Sequence, residues 1–274
     1  MKFVYNEEKD KARRHLLMMQ PTVEEAEAMI KKDETDAKAW YVYGKALGLK
    51  QDHEGAVAAY SRGIACDPFY APNYLGRGCR KNYLKDSYWS SIADLTIAIR
   101  LEEDNWLNWY YRATTQNKAG YKEESIEDFK MCMKYSRANE HYPLVYWIYT
   151  TYVDMGKYEE AEKALELMAD ATIEPPQMDF GYCRSVRLFK GMVSPEEFID
   201  IPLMQRSVLP RENRVNLELT GMYYGLYCYW MVHGDPEKAA DAIREVQKIP
   251  YPGAFGYERS IPVAKKLGMI PEND

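Results

Sequence analysis

From Ala37 onward, apolar residues fall in runs of about 13 positions at spacings of three and four, which is the pattern of one buried helical face. The runs come in pairs joined by short polar turns. Residues 37–70, AKAWYVYGKALGLKQDHEGAVAAYSRGIACDPFY, hold one pair. Residues 71–105 repeat the pattern with one extra position, and residues 106–139 repeat it again over 34. A fourth copy starts at Tyr142 and carries MGKYEEAEKALELM, and after a degenerate stretch a sixth starts near Thr220 and carries HGDPEKAADAIREV. Such a period marks a repeat architecture, in which no pair buries its apolar face alone and neighbours must stack.

The residues at fixed places in the period have physical reasons to be there. Gly44, Gly78, Ala56 and Ala161 fall where the two helices of a pair cross, and short side chains let the backbones approach. Trp40, Tyr74, Trp109 and Tyr223 open the first helices and fill the space between pairs. Gly120, Gly156 and Gly234 are expected to end first helices in the left-handed conformation, and Pro68 to stop a second helix.

Trp40, Gly44, Ala56, Tyr60 and Pro68, with their counterparts Tyr74, Gly78, Ser91, Leu95 and Ala98, then Trp109, Ala113, Gly120, Ser125 and Phe129, make the chain resemble the tetratricopeptide repeat (TPR) family. Gly156, Tyr158, Ala161 and Leu165, and Tyr223, Gly234, Ala239 and Ile243, continue the register. The resemblance implies an all-α, right-handed α-solenoid of stacked helix-turn-helix repeats. Residues 1–274 are expected to form one superhelical domain: a degenerate helical pair over 1–36, four clear repeats over 37–175, a degenerate repeat over 176–212, and a last repeat plus capping helix over 213–274.

The flanks are expected to differ. Helices over 7–19 and 22–32 form a shortened pair. A helix ending near Gly191 precedes Ser194, Pro195 and Glu197, which together make a capping box. Pro202 and Pro210 are expected to cut the following helix short and disturb the stack around 200–212. A last helix over 260–267 caps the array.

Composition narrows the function. With 46% hydrophobic and 14% aromatic residues the chain can bury a large core. Its start, MKFVYNEEKDKARR, has no apolar core of a signal peptide. The longest apolar run, about Tyr223 to Val232, is roughly half of what crosses a bilayer, so a cytoplasmic, non-membrane protein is expected. The five cysteines lie far apart without a CxxC pair, which suggests neither disulfides nor zinc. A net charge of −6 offers no general attraction for nucleic acid. His15, His53, His141 and His233 have no triad or metal spacing, and no phosphate-binding or nucleophile motif occurs. Asp179-Phe180-Gly181 stands without any accompanying kinase motif. No enzyme activity, metal or cofactor is expected.

The resemblance implies that the first helices line a concave groove, with positions 2, 5, 9 and 12 to 13 of each repeat projecting into it. That stripe contains Lys38, Tyr41 and Lys45; Leu75, Cys79, Asn82 and Tyr83; Leu107, Tyr110, Thr114, Asn117 and Lys118; Tyr146, Thr150 and Asp154; and Tyr224, Cys228 and Met231. Tyrosine recurs at position 5 as Tyr41, Tyr110, Tyr146 and Tyr224, which suits peptide recognition and equally suits packing. The carboxylate-gripping set of some family members is absent, since those places hold Tyr41, Lys45, Gly76, Leu107 and Tyr111. Arg77, Arg80, Lys81 and Arg112 form a local basic spot or pack between repeats.

The expected function is a scaffold or adaptor that binds a segment of another protein in this groove. The candidate residues are Tyr41, Lys45, Asn82, Tyr110, Thr114, Asn117, Tyr146, Thr150 and Tyr224. Tyr110→Ala with Tyr146→Ala is expected to weaken binding without unfolding. A sensing module for a peptide or small ligand is the alternative, and self-association through terminal repeats stays open.

Overall fold

A computed structural model describes residues 5–174, 180–207 and 214–271, all helical or irregular, with no strand among them. The chain packs as two compact units, Met1–Ser136 and Arg137–Asp274. The single domain expected over 1–274 spans both units.

Unit 1 holds α1 (Glu7–Met18), α2 (Val23–Lys32), α3 (Ala37–Leu49), α4 (His53–Cys66), α5 (Ala71–Lys81), α6 (Tyr88–Leu101), α7 (Trp106–Lys118) and α8 (Lys122–Tyr135). The pairs α3/α4, α5/α6 and α7/α8 pack within themselves and on the next pair, and α3 also touches α5. α3 and α5 therefore lie side by side, and Asn82, just past α5, reaches Thr115 of α7 at 2.8 Å, which continues the same layer. Gly44 lets α3 meet α4 closely, because a Cβ there would lie 2.7 Å from the Tyr60 ring.

Two side-chain contacts repeat from pair to pair. The indoles of Trp40 and Trp109 donate to the carbonyls of Glu34 and Glu103, at 2.8 and 2.7 Å. Arg77 forks onto Asp94 at 2.9 and 2.7 Å and donates to Ser61 Oγ at 3.0 Å. Arg112 forks onto Asp128 at 2.6 and 2.8 Å and donates to Thr96 Oγ1 at 3.0 Å. Each arginine thus ties its first helix to its own second helix and to the one before. Lys81 adds an ion pair to Asp94 at 2.8 Å, and Arg80 donates to Gly48 O at 3.3 Å. These cations pack between helices instead of forming a free basic spot.

Unit 2 holds α9 (His141–Asp154), α10 (Tyr158–Ala164), α11 (Phe180–Phe189), α12 (Pro195–Phe198), α13 (Ile201–Ser207), α14 (Arg214–Val232), α15 (Pro236–Lys248) and α16 (Phe255–Lys266). α9 packs on α10, α11 and α14, and α14 packs on α15 and α16. Its core centres on α9, whose residues from His141 to Thr151 are all buried. Tyr149 stacks on Phe189 with centroids 4.0 Å apart. Gly120, Gly156 and Gly234 have φ of +90°, +71° and +72°, as helix-ending glycines require.

The irregular stretch departs from expectation in detail. Ser194 caps α12, accepting from Glu197 N at 3.3 Å, but that helix ends at Phe198, before Pro202 is reached. Pro202 sits in the first turn of α13, where its missing N–H costs nothing. Pro210 lies outside the described residues, as does Asp179. The last helix starts at Phe255, earlier than expected, and carries Pro262 in its interior.

Candidate functional site

The first-helix layer of unit 1 carries α1 across it. Asn6 caps α1 by accepting from Lys9 N at 3.0 Å. At its N-terminal end, Lys9 and Arg13 pair with Asp104 at 2.7 and 2.6 Å, and Arg13 also donates to the Asp104 carbonyl at 3.0 Å. Lys9 and Arg13 lie one turn apart, so one carboxylate receives both. Asp10 is buried and accepts from Trp106 Nε1 of α7 at 2.9 Å, from Tyr5 Oη at 2.9 Å and from Arg14 at 2.6 Å. Burial alone would raise the Asp10 carboxyl, but these three donors hold it below the ordinary value. The same opposition, with Lys9 and Arg13 prevailing over burial, lowers Asp104.

At the other end of α1, Lys45 of α3 donates to the carbonyls of Leu16, at 2.7 Å, and Leu17. The last carbonyls of a helix lack intrahelical partners, and a cation there also meets the negative end of the dipole. Burial, then the charge of Arg80, pushes the Lys45 ammonium down to about 8. Leu16 and Met19 pack on the cluster of Tyr41, Val42, Ala46 and Tyr60. Between α1 and the layer lies a cavity of about 610 Å³, lined on one side by Lys9, Ala12, Arg13 and Leu16. Tyr70, Pro72, Leu101, Glu102, Glu103, Asp104 and Tyr135 line the other side.

In unit 2 the expected stripe residues of α9 and α14 meet α16. Arg259 donates to Thr150 Oγ1 at 2.7 Å and to Asp154 at 2.6 Å, and its guanidinium lies 4.7 Å from the Tyr224 ring centroid and 4.9 Å from that of Trp147. Tyr224 donates to the other oxygen of Asp154. Phe255 packs edge-on against Trp147 at 5.4 Å. Tyr146 donates to Gly221 O at 2.7 Å. Burial raises the Tyr146 and Tyr224 phenols far above the ordinary range, so both stay protonated donors.

The two terminal helices are held by different physics. Only Asp10 of α1 is buried, and Lys9 is 59% exposed. A pair so exposed contributes about 0 to 1 kcal/mol, while Arg13 at 13% and Asp10 at 3% side-chain exposure hold α1 from more covered positions. By contrast the Arg259 side chain is 9% exposed and Asp154 17%, and breaking a pair so enclosed costs about 3 to 5 kcal/mol. α16 also abuts the α14 backbone so closely that a Cβ on Gly256 would lie 2.3 Å from Thr220 O.

The nine expected site residues therefore divide. Tyr41, Thr114, Asn117, Tyr146, Thr150 and Tyr224 are buried, and their side chains pack or bond within their own unit. Tyr41 lies edge-on to Tyr70 at 6.3 Å and beside Tyr60 at 5.9 Å. Asn117 accepts from Lys122 at 2.9 Å. Lys45, Asn82 and Tyr110 are half-buried. Asn82 donates to Thr115 Oγ1 at 2.8 Å, and Tyr110 packs edge-on to Tyr111 and Phe129 at 5.6 and 6.0 Å. Of the position-5 tyrosines, Tyr41, Tyr146 and Tyr224 are thus core residues, and Tyr110 is half-buried. Sequence reasoning missed Asp104, Trp106, Glu102 and Arg259. The charge signal lay in the turns and terminal helices, outside the repeat positions that were read.

Among the described residues, no three of His, Cys, Asp and Glu are placed to hold a metal ion, and no helix is long and apolar enough to cross a membrane. Among the described residues no disulfide joins the cysteines, with Cys132, Cys183 and Cys228 buried and Cys66 exposed.

No protein-family model matches this sequence. No curated protein matches it either. Solved structures do. YrrB, described as a TPR protein with an unusual peptide-binding site, is 14% identical with a TM-score of 0.50, the match covering 88% of this chain and 100% of that one. A chain of the APC/C hetero-tetramer Cut9–Hcn1 is 12% identical with a TM-score of 0.52, the match covering 87% of this chain and 45% of that one. With the paired helices, helix-ending glycines and repeated contacts above, these likenesses give the fold: an all-α solenoid of TPR-like helical repeats.

Proposed function

We propose that this chain is a non-catalytic protein-interaction scaffold that engages a helical segment of a partner on the first-helix layer of unit 1. The observation that carries the reading is the double hold on α1, with Lys45 capping its C-terminal carbonyls and Asp104 receiving Lys9 and Arg13. A surface that seats one helix in this way is chemically equipped for another. Lys45 and Tyr110, half-buried on α3 and α7, and Asn82 just past α5 are the members of the expected stripe that a partner meets first. The printed descriptions of YrrB, with its peptide-binding site, and of the Cut9–Hcn1 assembly are consistent with such a role, though at 14% and 12% identity the likeness is one of fold.

The experiment is affinity capture from a lysate of the source cell with the unaltered chain and a Lys45→Glu/Tyr110→Ala chain side by side, quantified by mass spectrometry. A partner depleted from the variant supports the reading. Partner sets that do not differ overturn the assignment to this layer.

A further inference from the structure

We propose that α1 is a displaceable, built-in occupant of the unit 1 face, and that the partner segment this face takes is a short basic amphipathic helix patterned like α1. The proposal rests on the scaffold reading above and adds to it the chemistry of the ligand and a means of control.

Three features fix the ligand. The acidic pair Asp104 and Glu102 receives cations one turn apart on a single helical face, Lys9 at 2.7 Å and Arg13 at 2.6 and 3.5 Å. Trp106 donates to a carboxylate placed directly after the first cation, Asp10, and stacks under Arg14, the residue after Arg13, at 5.4 Å. Lys45 then requires free helix-terminal carbonyls beside an apolar residue, supplied here by Leu16. A ligand therefore reads, from its N-terminus, cation, acid, two residues, two cations, one residue and leucine, with its helix ending soon after.

The hold on α1 suits exchange. It is confined to a few polar contacts and the apolar contact of Leu16, with Asp10 the one buried residue of α1, and an open cleft of about 610 Å³ lined by Ala12 and Arg13 runs beside the helix. α2 is secured separately, because Thr22 and Glu25 form a complete capping box. Releasing α1 back to the Met19–Pro21 segment therefore leaves the start of α2 intact. α16 has no such independence, being locked by Gly256 and Arg259.

The test uses the full chain and a fluorescent peptide of residues 5–20, with binding read by anisotropy at about 150 mM salt. Lys9→Glu with Arg13→Glu on the chain repels α1 from Asp104 while leaving the receiving face unaltered. Hydrogen exchange of the α1 amides, set against those of α3 to α8, verifies release without unfolding. The expected result is peptide binding at least tenfold tighter to the double variant than to the unaltered chain, and none by a peptide carrying the same two glutamates. Equal affinity of both chains, equal affinity of both peptides, or no binding to a chain whose α1 amides exchange freely would overturn the latch. A lysate partner sensitive to Lys45→Glu/Tyr110→Ala but captured equally with and without Lys9→Glu/Arg13→Glu removes the latch while leaving the scaffold reading in place.

Discussion

Arg259 of α16 donates to Asp154 of α9 at 2.6 Å, joining residues 105 positions apart in the chain. The contact converts a first-helix face that the repeat pattern would leave open into an enclosed one. Asp154 also accepts from Tyr224 of α14, so three helices converge on one carboxylate. Arg259→Met should destabilise unit 2 by about 3 kcal/mol, because it removes the cation from an enclosed carboxylate. Adding Asp154→Leu should recover most of that loss. Urea unfolding of both variants, with hydrogen exchange of α9 and α14 as the local readout, checks the cycle.

Tyr146 behaves as a core residue. It stacks near Phe189 at 6.2 Å, meets Tyr182 edge-on at 5.0 Å and bonds to Gly221 O. Tyr146→Ala should therefore cost about 3 to 5 kcal/mol of stability, and Tyr110→Ala, at a half-buried site, clearly less. Parallel denaturant titrations distinguish this from the expectation that both substitutions spare the fold.

Gly256 sets how closely α16 approaches α14. A methyl group there meets the Thr220 carbonyl at 2.3 Å, and backbone cannot rotate aside as a side chain does. Gly256→Ala should cost about 1 to 3 kcal/mol and speed amide exchange in α16 before that in α9. Exchange rates equal to those of the unaltered chain would show that the two helices can separate freely.

Lys45 predicts a pH dependence. Its folded value of about 8 lies below the ordinary 10.5. Between these the unfolded chain binds more protons than the folded one, so this group makes unfolding free energy rise with pH. The stability of the unaltered chain relative to Lys45→Met should therefore grow from about pH 7.5 to about pH 9.5. Taking the difference between the two chains cancels the tyrosines. Thermal unfolding of both across that range reads it, and a constant difference would contradict the buried placement of the ammonium.

The sequence by itself determined the repeat. The period of 34, the helix-ending glycines and the short residues at crossings are local requirements, each met wherever one helix must stop or touch its neighbour, so they are legible one repeat at a time. The pairing of α3 with α4 and of α7 with α8 follows from them, and the Ser194 cap was legible from Ser194, Pro195 and Glu197 alone. Only the tertiary structure decided which faces are open. Tyr41, Tyr146 and Tyr224 carry the same residue type whether they greet a ligand or fill a core, and the pattern cannot separate the two because burial depends on what lies opposite. What lies opposite came from segments without the repeat pattern: α1 over Lys45 and Asp104, and α16 over Thr150, Asp154 and Tyr224. Those contacts join residues about 30 to 110 positions apart, a range over which periodicity carries no information.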